Sequence, residues 1–279
     1  LPLVDDPANH PEPSPGREAV LAALNGVLGD RLQAMGNPLA QAMALRADGQ
    51  PLTLSSEALK AQLPQAGPHL LLLIHGLCMN DTQWRRNGHD HGALLAPSLT
   101  ATPVYLRYNS GLHTSVNGRE LALLLERLVA VWPVPLERIT LIGHSMGGLV
   151  AARFAAELTL PATQRAPWSR SLDALVLSSP ALDPGLSLLQ RLLLSFMPQL
   201  APNLLVSNGL KPQWISKDAA VVAAYIADEK VHDRISPRLG RFILDAGREV
   251  LAMAPRWRVP MATASLPSGS PVWPTSLKL

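Results

Sequence analysis

Residues 139–150 read ITLIGHSMGGLV, and this stretch decides how the whole chain is interpreted. Its apolar first half passes directly into GHSMG at 143–147, a Gly-x-Ser-x-Gly pattern. The pattern predicts a tight turn from a strand into a helix, with Ser145 raised above the sheet as a nucleophile. Gly143 and Gly147 let the backbone of such a turn approach its neighbours closely. Since five residues can match by chance, the surrounding sequence has to support the interpretation.

Strand and helix patterns alternate around this turn. The helical patterns are NGRELALLLERLVAVW (117–132) and MGGLVAARFAAEL (146–158). The short apolar runs typical of strands covered on both faces are HLLLLIHG (69–76), TPVYLRYN (102–109), RITLIGHS (138–145) and LDALVLSSP (172–180). This alternation predicts a mostly parallel sheet flanked by helices, with Ser145 at the carboxyl end of a strand.

Four segments are expected along the chain. Residues 1–16 are rich in proline and predict a disordered leader. Residues 17–183 predict the α/β core, which starts with a helix from 17 to 35 and continues with a hairpin around Asp48-Gly49 and a short helix capped by Ser55 or Ser56. Residues 184–255 predict a helical cap, and residues 256–279 an atypical tail.

Composition excludes several classes of protein. The chain has 279 residues, 47% of them hydrophobic, and its net charge is only +3, with scattered lysines and arginines. We therefore expect a small-molecule substrate and no nucleic-acid partner. A single cysteine, Cys78, cannot form an intrachain disulfide. No signal peptide or membrane span is expected, which favours a cytoplasmic location.

A serine nucleophile needs a base and hydrogen-bond donors for the developing oxyanion. The N–H of Met146, at the start of the predicted helix, is one candidate donor. The second is the N–H of Leu77, because the first apolar run ends in His75-Gly76 and Gly76 allows close approach. The sequence therefore predicts an oxyanion hole formed by Leu77 and Met146.

In this order, the two motifs resemble the α/β-hydrolase family of esterases and lipases. LIHGLCMNDTQWRRNGHDHGALLA (73–96) is similar to a bacterial esterase branch related to the inositol deacylases. AAYIADEKVHDRISPRLG (223–240) resembles the cap of bacterial monoacylglycerol lipases and lysophospholipases. The resemblance implies an α/β-hydrolase fold with a helical cap and no cofactor or metal.

The chain departs from the family after RWRVP (256–260). The resemblance implies an apolar strand there with a catalytic Asp, then a further strand and a catalytic His, yet residues 250–279 contain no Asp, Glu or His. We therefore expect the sheet to lack its last strands. The exposed sheet edge that would result predicts low stability or self-association.

Two residues could substitute for the missing acid and base. His232 lies in the predicted cap and could reach Ser145, although a polar cap residue with local hydrogen bonds is the alternative. Asp183 follows the last apolar run, but it could equally be a turn former before Pro184. Asp228 and Asp233 flank His232 and are expected to be solvated.

Other candidate residues favour structural roles. His75 is expected to shape the oxyanion loop, with direct proton transfer as the alternative, and the side chain of His144 is expected to point away. The GHDHG segment (88–92) offers His89, Asp90 and His91, residue types that can bind metal, but two His two positions apart on a loop lack a third fixed ligand. Cys78 has no elbow around it and is expected to pack.

The sequence thus predicts an esterase or lipase that acts on short to medium acyl esters through a Ser145 acyl-enzyme. The leucine-rich stretch 186–210 would line an acyl pocket or contact a membrane surface or micelle, with ordinary core packing as the alternative. The alternative is a truncated α/β-hydrolase-fold protein that is catalytically impaired or inactive, because the usual acid and base positions are missing.

Overall fold

The computed structural model describes residues 14–86, 88–165, 169, 171–180, 182, 186–202, 204–207, 211–214, 216, 218–227 and 234–264. The strands in these residues are β1 (Ala44–Ala47), β2 (Gln50–Pro51), β3 (His69–Ile74), β4 (Arg85–Arg86), β5 (His89–Asp90), β6 (Thr102–Arg107), β7 (Arg138–His144), β8 (Ala174–Ser178), β9 (Val206–Ser207), β10 (Arg234–Ile235) and β11 (Met261–Ala264). The helices are α1 (Pro15–Ala34), α2 (Ser56–Gln62), α3 (His91–Leu99), α4 (Thr114–Val131), α5 (Met146–Ala156), α6 (Leu188–Leu200), α7 (Ala219–Ala227) and α8 (Pro237–Met253).

A mostly parallel sheet organises the described residues. Its strand order is β11-β8-β7-β3-β6-β1-β2, with β11, β8, β7, β3 and β6 parallel to one another and the hairpin β1–β2 antiparallel at one edge. The central strand β3 is buried along its whole length, as expected for a strand with helices on both faces. The predicted α/β fold class is confirmed.

The register of the sheet brings two loops together. Ile74 at the end of β3 pairs with Gly143 near the end of β7. Because the strands are parallel, both chains leave the sheet at the same edge, so the residues after Ile74 lie beside those after Gly143. On the other side of β7, His144 pairs with Ser178 of β8. Ser145 is therefore flanked by the ends of β3 and β8.

The local predictions for the first part of the chain agree with the structure, except that the predicted disordered leader (1–16) ends too late. Helix α1 begins at Pro15, within the predicted leader, because the Ser14 side chain accepts a hydrogen bond from Arg17 N–H and proline is favoured in the first helical turn. A turn with φ of 48° at Asp48 and 80° at Gly49 joins β1 to β2. Ser55 caps α2 by accepting from the N–H of Ala58.

The strand β11 corrects the expectation that both last sheet strands are missing. Residues 261–264 pair in parallel with β8, from Met261 opposite Leu175 onward. Leu175 N–H also donates to the carbonyl of Pro260, at 2.9 Å. The open edge of β8 offers unpaired N–H and C=O groups, and this edge orders a short stretch with little apolar pattern of its own. Residues 265–279 lie outside the described residues.

Helix α5 is the centre of the hydrophobic core. Every residue of α5 except Arg153 is buried, because β7, α4 and α8 surround it. Burying a side chain such as Phe154, which is 1% exposed, contributes about 1.5–3 kcal/mol of hydrophobic stabilisation. Helix α8 also contacts the segment after β8: a Cβ on Gly247 would lie 1.9 Å from the carbonyl oxygen of Leu182. The turn at Ser145 is thus attached to the most densely buried helix.

Candidate active site

Ser145 occupies the turn between β7 and α5 in a rare backbone conformation. Its φ is 54° and its ψ is −118°, a combination that costs a non-glycine residue about 1–3 kcal/mol. The surrounding contacts hold it there: Ser145 N–H donates to the carbonyl of Ser178 at 2.8 Å, and Met146 onward is buried. The side chain is partly exposed. A strained, supported serine between a strand and a helix is the geometry of a nucleophile elbow.

The glycines around Ser145 are required by close backbone contacts. A Cβ on Gly143 would lie 2.6 Å from the carbonyl oxygen of Gly147. A Cβ on Gly147 would lie 2.2 Å from the carbonyl oxygen of His75 and 2.5 Å from that of Ile74. Real Cβ atoms are not found so close to backbone oxygen, so larger residues at these positions would push α5 away from β3. The sequence pattern therefore reflects packing as well as chemistry.

The predicted oxyanion donors lie on two sides of Ser145. A Cβ on Gly76 would lie 3.1 Å from Ser145 Cβ, so the loop after β3 passes directly against the serine. Leu77 follows in this loop, and Met146 is the first residue of α5. Within the described residues, the backbone N–H groups of Leu77 and Met146 donate no hydrogen bond. An N–H group without a partner is what an oxyanion hole requires, and the assignment of Leu77 and Met146 to that role stays a prediction.

His75 is locked into the base of this loop. Its Nδ1–H donates to the carbonyl of Gly76 at 2.9 Å, and its Nε2 accepts from Tyr108 N–H at 3.3 Å. The ring stacks on Tyr108 with centroids 4.3 Å apart. Burial lowers the pKa of His75 to about 4. Because both ring nitrogens are occupied and the ring is buried, this geometry favours the structural role over proton transfer.

The side chain of His144 also makes structural contacts. Its Nδ1 lies 3.2 Å from the Ser178 hydroxyl, and its ring meets Trp84 edge-on, with centroids 6.3 Å apart. Burial lowers the pKa of His144. These contacts place the imidazole between β8 and Trp84, consistent with the expectation that it points away from the site.

The predicted base and acid, His232 and Asp183, lie outside the described residues, as do Asp228 and Asp233. In the part of the chain that is described, the Ser145 hydroxyl has no hydrogen-bond partner. The assignment of His232 as base and Asp183 as acid therefore stays a prediction.

The carboxylate of the GHDHG segment, Asp90, has a structural role. Asp90 accepts from the Tyr105 hydroxyl, from Arg85 Nε at 2.7 Å, and from the N–H of Ala93 at the start of α3. His91 is exposed and lies edge-on to Trp84, with centroids 6.1 Å apart. Among the described residues, no group of three or more His, Cys, Asp or Glu side chains is arranged to hold a metal ion.

Cys78 lies in the loop after β3, next to the predicted oxyanion donor Leu77. Its thiol does not have the properties of a nucleophile. Burial raises the pKa of its thiol to about 11, so the reactive thiolate is scarce near neutral pH. Its backbone has a positive φ of 57°, and its N–H donates to the hydroxyl of Ser110 at 3.1 Å. The contribution of Cys78 to the site is therefore structural, and it comes from the backbone rather than from the sulfur.

Several supporting residues were not found by sequence reasoning. Ser178 holds the Ser145 N–H through its carbonyl, Tyr108 holds His75, and Ser110 holds Cys78. The hydroxyl of Tyr108 also donates to the carbonyl of His75, at 2.8 Å. Tyr108 lies near the end of an apolar run, and the signal that could have identified it is a polar hydroxyl at a position expected to be buried. Nothing in the sequence marks Ser110, because its contact depends on how the loops meet.

The helix α6, in the region predicted to line an acyl pocket, exposes its apolar side chains. No residue of α6 is buried, and its exposed apolar side chains are Leu188, Leu189, Leu192, Leu193, Phe196 and Leu200. A cavity of about 210 Å³ lies elsewhere, between α4 and the start of β7, where Ile139 and Leu172 line it. With a rise of about 3.3 Å per strand residue, Ile139 lies roughly 20 Å from Ser145. That cavity is therefore separate from the candidate active site. In the described residues, no helix is long and apolar enough to cross a membrane.

The elbow at Ser145, on a mostly parallel sheet flanked by helices, defines an α/β-hydrolase-fold protein. Residues 117–265 match the profile of the family described as serine aminopeptidase, S33. This match spans more than half of the chain, and the chain belongs to that family. It begins in α4 and includes the elbow, α8 and β11.

Known proteins share parts of this chain. An uncharacterized abhydrolase domain-containing protein of Dictyostelium discoideum is 27% identical over 121 residues, which are 43% of this chain but only 12% of that protein. The crystal structure of the Paleococcus ferrophilus monoacylglycerol lipase is 27% identical, with a TM-score of 0.47 over 70% of this chain and 71% of that one. A lipase in an open form is 15% identical, with a TM-score of 0.50 over 71% of each chain, and it shows the shared fold.

Proposed function

We propose that this protein is a carboxylic ester hydrolase that acts on short to medium acyl esters through an acyl-enzyme on Ser145. The observation that carries the proposal is the backbone of Ser145, held at φ 54° against Gly76. Residues held in such strained backbone conformations cluster at active sites, where the strain is part of the mechanism. Membership of a hydrolase family and likeness to lipases support the same reaction class.

The proposed reaction has two halves. Ser145 Oγ attacks the ester carbonyl and gives up its proton to a base, for which His232 is the candidate, while the Leu77 and Met146 N–H groups bind the oxyanion. The alcohol leaves with that proton as the acyl-enzyme forms. Water, deprotonated by the same base, then attacks the acyl carbonyl; the acid leaves, and the base returns the proton to Ser145 Oγ. Asp183 would orient the base, and the reaction needs no metal or cofactor.

The proposed substrate class follows from the apolar side chains within the predicted cap. Helix α6 presents a row of leucines and Phe196 to solvent, and α7 adds exposed Val221, Tyr225 and Ile226. We propose that α6 and α7 contact the acyl chain, which favours uncharged esters over charged substrates. The family description raises an amine leaving group as the alternative.

Hydrolysis of p-nitrophenyl butyrate and of leucine p-nitroanilide across pH 5–9 tests the proposal. The wild type is compared with Ser145→Ala, with His232→Ala beside the control His89→Ala, and with Asp183→Asn beside the control Asp218→Asn; His89 and Asp218 are exposed. We expect butyrate turnover that is lost in Ser145→Ala and His232→Ala and kept in both controls. Turnover of the anilide alone would reassign the substrate. Equal background rates in wild type and Ser145→Ala would reject the function and favour a hydrolase-fold protein without catalysis.

A further inference from the structure

Helix α1, which precedes the sheet in sequence, packs directly against the loop after β3. A Cβ on Gly26 of α1 would lie 2.3 Å from the sulfur of Cys78, 2.7 Å from its backbone nitrogen and 2.8 Å from its Cα. The sulfur could move aside, but the backbone of Cys78 could not do so without shifting the loop. On its other side, that backbone is held by the hydroxyl of Ser110, at 3.1 Å. Cys78 is therefore clamped between α1 and the loop after β6.

A second contact ties α1 to the far end of the same loop. The side-chain N–H₂ of Asn80 lies 3.2 Å from the carboxylate of Glu18 and 3.3 Å from its carbonyl. The carboxylate of Glu18 also pairs with Arg107 at 2.8 Å. Arg107 pairs in turn with Asp81, which Arg46 contacts at 3.0 Å. The charges of these two carboxylates and two guanidinium groups balance. Each of the four side chains is at most 17% exposed.

Helix α1 is itself fixed from other directions. Asn25 is fully buried; its side chain donates to the carbonyl of Leu39 at 2.8 Å and accepts from Gln41 N–H at 2.8 Å. Asn109 donates to the carbonyl of Gly29 at 2.9 Å. These buried hydrogen bonds prevent α1 from sliding along the loop, because each would be lost without a replacement partner.

Leu77, whose N–H is a proposed oxyanion donor, lies between Gly76 and Cys78. Gly76 lies against Ser145, and Cys78 lies against Gly26. We infer that α1 positions the oxyanion loop, residues 75–81, and that Gly26 and Glu18 are positioning residues for the reaction at Ser145. The inference rests on the proposed function, and it adds a helix outside the sheet to the catalytic apparatus.

The test compares Gly26→Ala with Gly16→Ala in the same helix. Gly16 has no atom within 4 Å of an added Cβ, so both changes replace a glycine of α1 by alanine, but only Gly26→Ala reaches the loop. We expect Gly26→Ala to lower kcat on p-nitrophenyl butyrate by about 100-fold, as a displacement on the order of 1 Å can do, with KM changed by less than about two-fold. Gly16→Ala should keep the wild-type kcat. Amide hydrogen exchange of residues 75–81 is measured on the same three full-length proteins.

A fall in kcat with faster exchange in the loop, confined to Gly26→Ala, supports the inference. Equal kcat in both variants overturns it while leaving the ester hydrolase intact. If the wild type has no turnover that depends on Ser145, the proposed function fails; exchange then decides whether α1 fixes the loop, and equal exchange in both variants overturns that as well.

A second variant covers the case in which Gly26→Ala does not fold. Glu18→Gln keeps the size of the side chain but weakens its contacts with Asn80 and Arg107. We expect the same selective fall in kcat, by at least about five-fold, because the oxyanion contact is made more strongly in the transition state than in the ground state. A folded Glu18→Gln protein with wild-type kcat and wild-type exchange in the loop would overturn the inference.

Discussion

Acidification should destabilise this protein through His75. As pH falls, the unfolded chain takes up a proton on this residue near its ordinary pKa of 6.5, whereas burial lowers the pKa to about 4 in the folded state. Protonation in the folded state would also remove the acceptor that Nε2 offers to Tyr108 N–H. Nearby Asp81 and Arg107 act on the ring in opposite directions, Asp81 raising and Arg107 lowering the pKa. The stability due to neutral His75 is therefore present above pH 6.5 and lost as pH falls toward 4.

The size of the effect follows from the two pKa values. Between pH 7 and pH 5, linkage predicts a loss of about 2 kcal/mol in the free energy of unfolding from His75 alone. The loss approaches about 3 kcal/mol below pH 4. Since single domains are stable by only about 5–15 kcal/mol, this is a large share for one side chain.

Urea unfolding at pH 7 and pH 5, followed by circular dichroism, measures the effect. The matched variant His75→Asn removes the titrating group, so its free energy of unfolding should fall by about 2 kcal/mol less than that of the wild type over the same interval. Carboxylates and His144 titrate in both proteins and cancel in the comparison. If wild type and variant lose equal stability between pH 7 and pH 5, the burial and hydrogen bonding assigned to His75 are incorrect.

Two further predictions concern the parts of the fold that hold the site. Phe154→Ala should lower the free energy of unfolding by about 3–5 kcal/mol, because the side chain is 1% exposed and its loss leaves a cavity in the core that α5 packs into; urea unfolding at pH 7 checks this, and a loss below about 1 kcal/mol would contradict the core described. Asp81→Asn should cost about 3–5 kcal/mol, because it leaves Arg46 and Arg107 short of a buried carboxylate. The control Asp48→Asn, at a side chain that is 98% exposed, should cost less than about 0.5 kcal/mol, and equal costs would refute the role given to the buried cluster.

The sequence predicted those features that depend on neighbouring residues. The apolar runs around 69–76 and 138–145 became adjacent parallel strands, because short continuous apolar runs that alternate with helical patterns suit a sheet covered on both faces. The elbow was predictable since its glycines, its serine and the strand before it are consecutive. The hairpin at Asp48-Gly49 was predictable for the same local reason.

Features that depend on distant parts of the chain could not be predicted. β11 forms because β8 has an open edge, and nothing in MATA alone indicates a strand. The contact between Glu18 and Asn80 joins residues 62 positions apart, and Gly26 matters only because Cys78 lies against it. The roles of His232 and Asp183 remain predictions from the sequence.

Covalent labelling of Ser145 by a fluorophosphonate tests the central claim most directly. The serine oxygen would form a bond to phosphorus as fluoride leaves, and the mass of the intact protein counts the labels. If Ser145 is a reactive nucleophile, we expect one label per chain, located at Ser145 by peptide mapping and absent from Ser145→Ala. A folded wild-type protein that stays unlabelled, or that is labelled equally in Ser145→Ala, would contradict the claim that this serine is a nucleophile.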